Sequence, residues 1–170
     1  MDFLTLAKER YSVRKFDGRA LSDEHIDKIL EAGICAPTAK NEQPHRIFVV
    51  KSEEEIKKMN EISPCIYGAK TVFVICYDKT ACWTAPDATR NSGEIDSTIV
   101  ATQMMLEATD LGAGTTMLLR YDPKLLRESF ELPENYVDVC LLTAGYPAED
   151  ATPSPRHADR KGKDEIVKYF

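Results

Sequence analysis

Arg10-Tyr11-Ser12-Val13-Arg14-Lys15-Phe16 sets two arginines on either side of a hydroxyl, with an apolar residue in each gap. In extended backbone, successive side chains point to opposite faces. Arg10, Ser12 and Arg14 then share one face, while Tyr11 and Val13 pack inward. Two guanidiniums around a hydroxyl make a seat for a phosphate, because each offers a planar fork of donors and a permanent charge. The same residues also suit a solvated basic turn, since charge clusters ordinarily face water. The rest of the chain decides between the two.

A chain of 170 residues reads as a single domain, 1–170, large enough to bury a core. A net charge of −6 argues against nucleic acid as the main partner and makes the basic residues near both ends local exceptions. A small anionic ligand fits that pattern better than a polyanion. Cys35, Cys65, Cys76, Cys82 and Cys140 form no CxxC pair and lie near no histidine at zinc-ligand spacing, so no metal site is expected. Their odd number fits buried, reduced thiols and a cytoplasmic location. Neither a leading signal pattern nor an apolar run of membrane-spanning length is present, so no membrane partner is expected.

Local patterns then order the chain. Residues 2–9 read as a short helix. Ser22, with Asp23 and Glu24 behind it, starts a second, which must stop before Pro37. Residues 36–45 are a loop by composition, and 46–51 a strand. Ser52-Glu53-Glu54-Glu55 is a capping box opening a helix to about Ile62. Thr71–Tyr77 is a continuous β-branched and aromatic run, hence a buried strand. A polar loop, 78–93, precedes a long helix from Glu94 to Leu111 that Gly112 stops. That helix carries apolar residues on more than one face, which calls for a core or a subunit interface on each. Further strands are expected at 115–119 and 137–144, with a helix between them started by Asp122-Pro123. The tail, 148–170, has no periodicity until 164–170, a possible strand that must dock on its own sheet or on a partner.

Four stretches, in order, carry a resemblance. They are Arg10–Phe16; Ala36-Pro37-Thr38-Ala39-Lys40-Asn41-Glu42-Gln43-Pro44; Leu111-Gly112-Ala113-Gly114-Thr115; and Gly145-Tyr146-Pro147 with Arg160-Lys161 in the tail. Together they resemble the FMN-dependent nitroreductase family. His45 departs from a common tryptophan of that family, and Gly162 from a common proline. The resemblance implies an α+β fold with a central, mostly antiparallel sheet flanked by helices. It also implies a homodimer with the flavin at the subunit interface and the C-terminal tail reaching onto the partner.

Residue by residue, the resemblance implies FMN bound by Arg10 and Ser12 at the phosphate and by Arg14 nearer the ring, with Arg160 and Lys161 completing the clamp. Pro37, Thr38 and Ala39 would contact the ring from the partner subunit, and Asn41 and Gln43 its N3/O4 edge. Met117 and Leu118 would lie near the ring or serve as strand core. Trp83 would line the substrate pocket with Asn41, or anchor the core. Gly112-Ala113-Gly114 follows a helix, so it is no dinucleotide-binding fingerprint. The implied activity is reduction of nitro compounds, quinones or similar electron-poor molecules by NAD(P)H, through ping-pong hydride transfer at flavin N5. No side chain is expected to be catalytic, because the cofactor carries the chemistry. A flavin store or sensor with little turnover is the competing reading. Flavin fragmentation or dehalogenation is a third, for which the chain leaves little room for a lid.

Overall fold

The structure, a computed structural model, describes residues 2–170. Its centre is the strand Thr71–Asp78, in which every residue is buried. With His45–Val50 (β1), Thr71–Asp78 (β2), Gly114–Leu118 (β3) and Tyr136–Gly145 (β4), it forms an antiparallel sheet of order β1-β2-β4-β3. Alternation along β2 divides the core. Val72, Val74 and Cys76 face one layer, with Ile56, Met59 and Leu126. Phe73 and Ile75 face the other, with Ile26, Ile29, Val100 and Met104.

Helices α1 (Phe3–Glu9), α2 (Asp23–Ile34), α3 (Glu53–Ile62), α4 (Gly93–Asp110) and α5 (Pro123–Ser129) fill those layers. Their starts follow local chemistry. Ser22 accepts the His25 N–H at 3.2 Å, and Ser52 Oγ accepts the Glu55 N–H at 3.2 Å while donating to Glu55 Oε2 at 2.9 Å. Asp122 caps α5, with Pro123 in its first turn. Helices α2 and α4 lie close enough that a Cβ on Gly33 would stand 2.8 Å from Met104 Cγ.

The Arg10–Phe16 stretch runs extended along the outer edge of β3. Val13 N–H donates to Thr115 O at 2.9 Å, and Thr116 Oγ1 donates back to Val13 O. Ser12 pairs with Thr115 in parallel and Phe16 with Pro147 antiparallel. Val13 is buried as the alternation requires, and Phe16, on the opposite parity, is buried where the stretch leaves β3 to pair with Pro147.

Two expectations are corrected. Residues 164–170 form no strand; Lys163–Ile166 is a single helical turn, α6. Residues 12–16 already occupy the edge of β3, and Glu165 Oε1 accepts the Gly162 N–H at 3.2 Å, which favours a local turn. The cysteines are not uniformly buried: Cys76 and Cys140 are, Cys35 is exposed, and all five are free. Helix α4 buries one face within this chain. Ile95, on another, is 64% exposed. Among the described residues, no helix is long and apolar enough to cross a membrane.

Candidate functional site

The extended N-terminal stretch builds a cavity of about 140 Å³ against the tail. Arg10, Tyr11, Ser12 and Arg14 line one wall, and Ser154, Arg156 and His157 the other. Arg10 reaches Met105 Sδ on α4 at 3.9 Å, and Arg14 Nη1 donates to Ser12 O at 3.4 Å. Among the described residues, no carboxylate pairs with Arg10, Arg14 or Arg156. Three unneutralised guanidiniums around one small cavity favour a compact anion such as a phosphate.

The tail wall is built locally. Ser154-Pro155 opens a 3-10 turn over Pro155–Ala158, with Ser154 Oγ accepting the Arg156 N–H at 3.3 Å. His157 packs edge-on to Tyr11, with ring centres 6.2 Å apart. Its Nε2 donates to Lys8 O at 3.0 Å, which ties the tail to α1. Sequence reasoning missed Ser154, Arg156 and His157 here. The Ser-Pro turn start was a usable signal, but nothing local says where that turn docks. Arg160 lines an adjoining pocket with Lys8, His157 and Ala158, its guanidinium folded onto the carbonyls of His157 and Asp159. Lys161 is exposed. Arg14 lines the same cavity as Arg10.

The second expected group lies elsewhere. The loop from Ala36 to Pro44 leads into β1, at the sheet edge opposite β3 and the Arg10 stretch. Three strand spacings, about 14 Å, separate β1 from β3, and the Arg10 stretch lies one further out. Lys40, Asn41 and Gln43 hold φ of 51°, 57° and 48°, all left-handed without a glycine. Such strain persists only where surrounding contacts impose it, and it clusters at functional sites. Here Thr38 Oγ1 accepts the Gln43 N–H at 3.1 Å, and Gln43 Nε2 donates to Asn41 O at 3.2 Å. Asp96 Oδ1, from the first turn of α4, accepts the Ala39 N–H at 3.0 Å. Pro37, Asn41 and Gln43 are exposed, and Thr38 and Ala39 half-buried.

The remaining expected residues divide. Leu118 is core, 6% exposed; Met117 is half-buried in the other layer. Trp83 is half-buried, belongs to neither core cluster, and sits in a turn where its carbonyl accepts the Ser92 N–H at 2.9 Å. His45 has its Nδ1 buried, and burial, then the Arg46 charge, holds its pKa below the ordinary value. Burial pushes the Cys76 and Cys140 thiols up to about 12. Neither offers a nucleophile near neutrality.

A model of the nitroreductase family matches residues 7–65 and 62–146. The chain belongs to that family. A protein of Archaeoglobus fulgidus, provisionally named NADH dehydrogenase/NAD(P)H nitroreductase, is 32% identical over 157 residues, 86% of each chain. A nitroreductase family protein from Clostridium difficile 630 superposes with a TM-score of 0.93 at 36% identity, covering 99% of this chain and 98% of that one. An FMN-dependent nitroreductase from Clostridium difficile R20291 superposes at 0.78 with 25% identity, covering 99% and 98%. For a nitroreductase-family chain, the charged cavity fits the phosphate of a flavin mononucleotide.

Proposed function

We propose that this protein is an FMN-dependent oxidoreductase that takes electrons from NADH or NADPH and delivers them to nitro compounds, quinones or similar electron-poor molecules. The observation that carries the reading is the cavity of Arg10, Ser12, Arg14 and Arg156, three guanidiniums without a carboxylate partner, in a nitroreductase-family chain. Relatives named for NAD(P)H-dependent activity supply the donor class.

In this reading Arg10, Ser12, Arg14, Ser154 and Arg156 hold the phosphate, with His157 beside it and Arg160 and Lys161 adding positive potential from the tail. Pro37, Thr38 and Ala39 come from a second copy and lie against the ring, and Asn41 and Gln43 bond its polar edge. The separation of the two groups across the sheet supports that division between copies. Trp83 and Asn41 line the space for the acceptor. The chemistry that bound FMN supplies is hydride acceptance at N5 from NAD(P)H followed by hydride release to the acceptor. The chain itself binds, orients and sets the potential around the ring, which needs no nucleophile or metal of its own.

The test is a visible spectrum of the purified protein, loaded with FMN and kept free of oxygen. The flavin band should be present and should bleach on adding NADH or NADPH. A stable flavin complex that neither nucleotide bleaches would overturn the reductase reading. A protein that takes up no FMN would overturn flavin binding itself.

A further inference from the structure

Asp96 stands out among the buried polar groups. It lies in the first turn of α4 and is 2% exposed. Its Oδ1 takes the Ala39 N–H, while its Oδ2 is buried with no hydrogen-bond donor among the described residues. No lysine or arginine forms an ion pair with it among those residues. The nearby His45, whose pKa is lowered by burial and by Arg46 and raised by Asp96, also buries an unpartnered nitrogen.

As a stabilising element this is a poor arrangement. A buried carboxyl with one oxygen unsatisfied costs more than it returns, and the helix N-terminus offsets only part of that. A leucine has the same number of side-chain heavy atoms in the same branched shape, without the desolvation cost. What the carboxyl does achieve is local. It grips the backbone at Ala39, one residue before the left-handed pair Lys40 and Asn41. That pair and Gln43 adopt a conformation that non-glycine residues rarely hold unaided. The grip joins the loop to the longest helix of the chain, and so to the rigid core.

We propose that Asp96 is a positioning residue for the flavin ring: by holding the Ala39 N–H it fixes the strained loop that presents Asn41 and Gln43. The proposal rests on the flavin reading above, but it concerns a side chain that touches neither cofactor nor acceptor. Its effect is transmitted through one backbone hydrogen bond.

Two variants and two readouts test it: Asp96→Leu and Asp96→Asn, each measured for apo-protein melting temperature and for FMN affinity by quenching of flavin fluorescence. Asp96→Leu should melt at or above the wild-type temperature yet bind FMN roughly tenfold more weakly, as expected when the hydrogen bond that fixes the loop is lost. Asp96→Asn keeps an acceptor for Ala39 and should stay within about threefold of wild type. Wild-type affinity in Asp96→Leu would overturn the proposal. So would a marked fall in its melting temperature, which would make the carboxyl a structural prop, or a loss in Asp96→Asn as large as in Asp96→Leu. If the wild-type protein binds no FMN, the flavin reading falls and takes this inference with it. If wild type binds while Asp96→Leu binds equally well, only this inference falls.

Discussion

Arg10 shows how one side chain does two jobs. Its guanidinium lies against Met105 Sδ, which fixes the stem on α4 without neutralising the charge, and so leaves the donors for the cavity. A hydrogen bond from a charged donor to a phosphate contributes about 1.5–3 kcal/mol. Arg10→Ala should therefore weaken FMN binding roughly ten- to a hundredfold, read by titrating apo-protein with FMN. A second residue-scale prediction follows from His45. Its folded-state pKa lies below the ordinary 6.5, with burial the larger cause and the Arg46 charge the smaller. Below 6.5 the unfolded chain binds the proton first, so this contribution to stability is full above that value and is lost as pH falls through the folded pKa. The melting temperature of wild type should drop more steeply below pH 6.5 than that of His45→Phe, which has no imidazole to charge. Equal slopes would mean that His45 is solvated in the folded state. The cysteines give a third. Thiols held at about 12 are unreactive near neutrality, so Cys76 and Cys140 should label with an aromatic disulfide only after unfolding, as followed by absorbance.

Among the elements, legibility depended on whether the deciding interaction was local. Ser22, Ser52 and Asp122-Pro123 announce their helices because each cap bonds within three residues. The buried run Thr71–Asp78 declares itself by composition. The extended Arg10 stretch and its inward Val13 were also readable, from alternation alone. Three features were not. Arg156 and His157 reach the cavity only because the tail folds back onto α1, a contact more than a hundred residues apart in the chain. The left-handed loop contains no glycine, so its conformation has no signature in composition. The last seven residues looked like a strand, but β3 had already been claimed by residues 12–16. That edge pairing carries the element-scale prediction. A Cβ on Gly114 would lie 2.3 Å from Val13 Cγ2. Gly114→Ala must push the N-terminal stretch off β3, costing about 1–3 kcal/mol by overpacking. Because Ser12 pairs with the neighbouring Thr115, the same shift should disturb the phosphate seat. Chemical denaturation and FMN titration should fall together in this variant, whereas Arg10→Ala should lower FMN affinity alone.

For the whole molecule, the question is what covers the outer face of α4. Ile95 is 64% exposed, and Phe3 and Leu4 on α1 are 70% and 61% exposed. Between α1, α2 and α4 runs a groove of about 380 Å³ lined by Phe3, Leu6, Ala32 and Leu106. Apolar surface of this kind marks an association face. In the proposed shared site, a second copy has to bring its 37–43 loop to the first copy's arginine cavity. The two halves of the site otherwise stand at opposite sheet edges. Leu106→Glu tests the arrangement, because a two-fold interface would place the new carboxylate on both sides at once, beside Glu107 and Asp110. The groove is open in the single chain, so the variant should fold and keep its apo circular-dichroism spectrum. Light scattering should give a monomer, and FMN uptake should be lost with the dimer. A Leu106→Glu monomer that binds FMN with wild-type affinity would place the whole site in one chain and overturn the shared arrangement. A flavin-free dimer would instead mean that the groove is not where the copies meet.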